Sequence, residues 1–212
     1  SSRSLWSSEN VKNSAGKTMN GYYVHNEKGL HGQYYSLTAQ LSKDWANGLS
    51  LMAAYTHTVS KEVTGMPGNA AESAFTYVPT SEGPNNIGLH NSQYVTPDRL
   101  VASATAHDKS GNHYSLIYEA WRGGYNYSYM MANDMNGDGY NYDALFIPTD
   151  KQVAEGQFRF VSDNDRDRFM SYVHNNDYLK NHQGEYAEPY SYANPWLHRV
   201  DFSYKHDFKL NV

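Results

Sequence analysis

Apolar and polar side chains alternate with a period of two in five stretches of the chain. In residues 33–43, Tyr35, Leu37, Ala39 and Leu41 share one face, and Tyr34, Ser36, Thr38, Gln40 and Ser42 the other. In 48–60, Leu49, Leu51, Ala53 and Tyr55 oppose Ser50, Met52, Ala54, Thr56 and Thr58. In 97–107, Leu100, Ala102, Ala104 and Ala106 oppose Arg99, Val101, Ser103, Thr105 and His107. In 113–122, Tyr114, Leu116, Tyr118 and Ala120 oppose His113, Ser115, Ile117, Glu119 and Trp121. In 196–208, His198, Val200, Phe202 and Tyr204 oppose Leu197, Arg199, Asp201, Ser203 and Lys205. Such alternation predicts strands with one apolar face. Each run has about the 9–11 residues that a tilted membrane strand needs.

The connections alternate too. Lys43–Gly48 and Asp108–Asn112 are short; residues 61–96 and 123–195 are long. Short turns therefore fall at one edge of the sheet and long loops at the other, as in outer-membrane barrels. Loops this long are rare in a compact soluble β-domain. Trp45, Tyr55, Trp121 and Trp196 lie near strand ends, where an interfacial aromatic girdle would sit. Within the second loop, Ser162–Arg168 supplies a cap and first-turn acids, and Phe169, Tyr172 and Val173 follow at helical spacing. A short helix over about 164–175 is expected, and one or two helical turns over Asn69–Phe75. Residues 1–31 read as a loop or tail.

Composition agrees with β-structure and long polar loops. Of 212 residues, only 18% are charged and 39% hydrophobic, whereas Tyr alone counts 20. Few charges and many aromatics oppose ordinary disorder. Mean hydropathy is -0.78. A net charge of -5 and a pI near 6.0 argue against nucleic acid as a partner. There is no cysteine, hence no disulfide framework or thiolate metal site. Ser1–Trp6 has no apolar core of a signal peptide. No run of about 18 apolar residues offers a membrane helix, which leaves a barrel untouched.

Candidate chemistry centres on Asp134–Asp143. Asp134, Asn136 and Asp138 sit at relative positions 1, 3 and 5, Gly139 at 6 and the Tyr140 carbonyl at 7, as in the first half of a calcium loop. The bidentate glutamate of position 12 is missing; Asp143 is the nearest acid. Ca2+ held by Asp134, Asn136, Asp138, Tyr140 and Asp143 is one expectation. An Asx-turn loop that only caps itself is the other. No catalytic constellation is present: there is no His-Glu-x-x-His, nucleophile elbow or phosphate loop. No enzyme activity is expected. Candidate ligand contacts are the loop aromatics Trp121, Tyr125, Tyr127 and Tyr129, with Phe75, Tyr77 and His90. Such rings suit a large polar ligand; the plainer expectation is that they pack the loops together.

Several segments resemble the TonB-dependent outer-membrane receptors, nearest the Oar-like branch with a carboxypeptidase-regulatory-like domain, a relative of SusC-like transporters. They are Gly32–Lys43 running into Asn47–Ser50 and Ala54–Thr56; Val95–Ser103; Asp134–Pro148; Gly184–Glu188; and Asn194–Asp201. Glu188-Pro189-Tyr190 departs from the family, which tends to have arginine and asparagine after Ala-Glu. The resemblance implies a plugged barrel of about 22 strands, of which this chain supplies about five as a piece of the C-terminal half. It further implies a bacterial outer-membrane location and import of a peptide or glycan into the periplasm. The implied partners are the plug and remaining strands, a TonB complex, a surface lipoprotein and outer-membrane lipid. The alternative is a soluble or secreted β-rich adhesin or glycan-binding module.

Overall fold

The computed structural model describes residues 14–16, 28–29, 31–63, 68–80, 87–125, 127–131, 133–135, 137 and 139–208. The expected tail over 1–31 lies largely outside them. The fold is mainly an antiparallel sheet with a few short helices. In chain order it contains β1 (Gln33–Asp44), β2 (Leu49–Glu62), α1 (Ala71–Thr76), β3 (His90–Asn91), β4 (Asp98–His107) and β5 (Asn112–Arg122). There follow α2 (Asp150–Ala154), α3 (Asp163–Asn175), α4 (Asp177–Asn181) and β6 (Trp196–His206). The five long strands end within two residues of the bounds the alternation predicts. The helices expected near 164–175 and 69–75 are α3 and α1. No helix among the described residues is long and apolar enough to cross a membrane.

Two compact units divide the chain. The strand unit comprises residues 33–60, 94–126 and 193–212; the loop unit draws on 61–93 and 127–192. The long connections are therefore not mere loops between strands.

The long strands run in the order β1-β2-β4-β5-β6, and β3 pairs with the end of β2. Register carries the alternation across the sheet without a slip. Leu51, Ala104, Leu116 and Phe202 form one row; Ala53, Ala102, Tyr118 and Val200 form the next. On β1, Ser36 bonds Thr58 and Thr38 bonds Thr56 through their hydroxyls, so Tyr35, Leu37 and Leu41 join the apolar face. That face is most open on the outer strands, where Leu37 is 76% exposed, Leu41 82%, Val200 64% and Phe202 68%; its positions on β4 are half-buried, and Ala120 is buried. The opposite face carries hydroxyls and the ion pairs Arg99–Glu119 and Arg199–Asp201, at 2.6 and 2.8 Å. Trp121 stands there, across from Arg99 and Leu197. Its ring cannot join a girdle on the apolar side, as its strand-end position had suggested, because its parity is wrong.

The short turns fix this register. Gly48 has φ +83, and a Cβ there would come within 2.5 Å of the His107 carbonyl oxygen. At the next turn, Asp108 accepts from the backbone N–H groups of Ser110 and Asn112 and from the Asn112 amide. These bonds, chiefly those from Asn112, hold its carboxyl below the usual carboxylate range.

At the loop end the apolar face closes on a polar row. Asp98, 8% exposed, accepts from the Tyr55 hydroxyl and from His57 Nδ1 at 2.8 Å, and Arg122 Nη1 lies 3.9 Å away. Pro97 beside it is fully buried, and its carbonyl accepts from Thr58 N–H. Removing the carboxylate strands a hydroxyl and an imidazole N–H. Asp98→Ala is expected to destabilise the strand unit by about 2 kcal/mol in denaturant titration, and Arg99→Ala on the exposed pair by under about 1 kcal/mol.

Candidate ligand-facing surface of the loop unit

Residues 127–131, 143–147 and 184–187 form a short ladder. Tyr129 and Asp143 carbonyls accept from Leu145 and Met131 N–H; Leu145 and Glu185 carbonyls accept from Ala187 and Ile147 N–H. The ladder carries a small core of Ile147, Val173, Leu179 and Ala187, flanked by Tyr129, Leu145, Phe169 and Tyr178. The helices dock on it with capped ends. Thr149 and Gln152 form a capping box at α2. Ser162 caps α3, and Asn176 Oδ1 accepts from the N–H groups of Tyr178 and Leu179 at α4.

Rings fill what aliphatic residues leave. Tyr129 stacks on Tyr178 at 5.6 Å with a 5° interplanar angle, and Tyr178 on His182 at 4.1 Å. Tyr192 meets Tyr129 and Tyr127 edge-on. The Tyr129 hydroxyl accepts from the Asn176 amide at 2.7 Å. Burial pushes the Tyr129 phenol up to about 12 and raises that of Tyr178 as well.

The candidate aromatics do not converge on one place. Trp121 and Tyr125 belong to the strand unit, the others to the loop unit. Phe75 packs edge-on against Tyr140, and Tyr77 against Tyr142, which ties α1 to the Asp134 segment. Tyr127 is 64% exposed and Tyr77 48%; these two can meet a ligand. His90 cannot. It is 1% exposed, with Nδ1 on the Asn91 carbonyl and Nε2 on the Val63 carbonyl. Its ring tilts against Tyr190, which holds φ +51, a conformation uncommon for a bulky residue. Tyr190 is fixed there because its N–H donates to Ser128 Oγ and its carbonyl accepts from the Asn91 amide.

The Asp134 segment is partly visible. Asp134 accepts from Gly137 N–H at 2.7 Å and from Gly139 N–H at 2.9 Å, and both glycines have positive φ. Asp143 is 3% exposed and accepts from Met135 N–H. Its backbone bridges Thr80. Asn136 and Asp138 lie outside the described residues, among which no cluster of three His, Asp or Glu is gathered for a metal. The glycine at the sixth position turns as expected, and the acid at the first caps the loop from within.

Sequence reasoning missed Asn176, His90's burial, Tyr190 and Asp98. Asn176 was readable as a cap, since Asn-Asp precedes an apolar pair. The others depend on partners far along the chain.

The raised phenols make a sign-definite prediction. Folding favours neutral Tyr129, so its contribution is complete below pH 10.0, the ordinary phenol value, and is lost as pH rises toward about 12. Near-ultraviolet circular dichroism should show loss of loop-unit packing in that window, and Tyr129→Phe should flatten the loss.

No protein-family model, curated protein or solved structure matches the chain.

Proposed function

We propose that the strand unit is a wall segment of a transmembrane β-barrel in a bacterial outer membrane, and that the whole protein is a TonB-dependent transporter. One observation carries the reading: a contiguous apolar face runs across all five long strands, exposed on β1, β2 and β6 and half-buried on β4, and is backed by a face of mostly polar side chains. A soluble sheet of this size covers its apolar face with a second layer. Lipid removes that need. The dimensions agree. Tyr114 and Tyr204 stand at the short-turn end of the face, and Tyr55 and Trp196 at the loop end. Eight residue steps from Tyr114 to Arg122 span about 27 Å of strand, or about 20 Å after a barrel's tilt, near the apolar band of known barrels. The edges β1 and β6 are where further strands of a barrel of about 22 would pair.

In this reading the loop unit is extracellular, and its exposed Tyr77 and Tyr127 meet a large polar ligand, a peptide or glycan, bound for the periplasm. The resemblance described above supports the TonB complex, a plug and a surface lipoprotein as partners. The ion-paired face would look inward toward the plug.

The test is a substitution pair in lipid vesicles. Val200→Arg, in the middle row of the apolar face, should cost about 2–4 kcal/mol. Ser203→Arg on the polar face should stay within about 0.5 kcal/mol. Equal, small effects in vesicles would sink the barrel and favour a soluble glycan-binding module.

Calcium belongs to the same proposal, as a clamp on the Asp134 segment through Asp134, Asn136, Asp138, the Tyr140 carbonyl and Asp143. Calorimetry should detect Ca2+ heat that Asp138→Ala abolishes. A silent titration leaves Asp134 as a self-sufficient cap.

A further inference from the structure

A shallow groove of about 410 Å3 crosses the apolar face of the strand unit. Its floor is Ala53, Ala102 and Ala104, three small side chains that stand side by side on β2 and β4. Its walls are taller, with Leu41 on β1 and Leu116 and Tyr118 on β5. Leu51 stands beside Ala104 and narrows the trough on β2, and the row toward the loops replaces Ala53 and Ala102 by Tyr55 and Leu100, which closes the depression at that end.

One rim of the groove is charged. Lys43 lines it from the last turn of β1's alternation, on the same face as Leu41. No carboxylate among the described residues pairs with Lys43. Its ammonium instead lies 5.5 Å from the centre of the Trp45 ring, at the short-turn end of the sheet. Trp45 is 40% exposed. A cation beside an interfacial indole, at the end of an apolar trough, complements an amphiphile with an anionic head and a hydrocarbon tail.

We propose that this groove is a binding site for one acyl chain of an anionic phospholipid, with the phosphate on Lys43 and the headgroup against Trp45. The inference rests on the barrel reading, under which this face meets lipid and the short turns meet the inner leaflet. It goes beyond that reading by selecting one lipid chemistry at one address. Alanine is the residue this site needs on the floor: a methyl group leaves room for a chain about one methylene wide, whereas leucine at those positions would fill it.

The test uses the whole barrel-forming protein that contains these strands, reconstituted in vesicles of equimolar phosphatidylglycerol and phosphatidylcholine. Flotation first establishes insertion. Lipids retained after detergent extraction are then counted by native mass spectrometry. Wild type should retain phosphatidylglycerol about fivefold over phosphatidylcholine, the factor expected of one lysine at a membrane surface. Lys43→Glu should abolish that preference while the protein still floats. Ala102→Leu should lower retention of both lipids with the preference intact. Equal retention of the two lipids by inserted wild type overturns the site, as does a groove shielded by a second copy in cross-linking. A whole protein that never floats overturns the barrel reading instead, and the site with it.

Discussion

Parity along the strands is the constraint on which the strand unit depends. Side chains on a strand alternate, so a slip of one residue would send every apolar group to the other face. Five long strands keep the same parity: the rows Leu51-Ala104-Leu116-Phe202 and Ala53-Ala102-Tyr118-Val200 record it for four, and the hydroxyl pairs Ser36–Thr58 and Thr38–Thr56 for β1. The turns enforce it locally. Gly48 lets the β1–β2 connection approach His107 more closely than any side chain would allow, and Asp108 ties its own turn with three hydrogen bonds. Hydrophobic burial within the chain contributes little to this register, since the apolar face is largely open on β1, β2 and β6. Hydrogen-bonded pairing and turn geometry select it.

The loop unit obeys different rules. Its aliphatic core is small, four residues, and planar rings extend it. Stacked and edge-on pairs add specificity beyond the area they bury. The ring series Tyr127–Tyr192–Tyr129–Tyr178–His182 crosses from the ladder to α4, whose N-terminus Asn176 caps. Many of the loop unit's tyrosines thus serve packing, while Tyr77, Tyr127 and Tyr172 face solvent.

The strands were legible in the sequence because alternation is a local signal; so was α3, whose cap and apolar spacing lie within a dozen residues. The compactness of the loop unit was not. Its decisive contacts join Asn176 to Tyr129 over 47 positions and Asn91 to Tyr190 over 99, and no local pattern encodes such distances. His90 looked like a ligand contact because an isolated histidine in a polar loop carries no mark of burial. Trp121 is the opposite case. Its face followed from simple counting, and its nearness to a strand end was the weaker guide.

The left-handed Tyr190 has a bearing on how the molecule comes to be folded. Its conformation is unfavourable alone, and Ser128, Asn91 and the His90 ring, brought from distant parts of the chain, help to hold it. Closing a loop of 99 residues costs entropy before any contact rewards it. The hairpin of β4 and β5 lies inside that interval, and forming it first shortens the effective loop. Loop-closure entropy thus favours pairing of the β4–β5 hairpin ahead of the Asn91–Tyr190 contact.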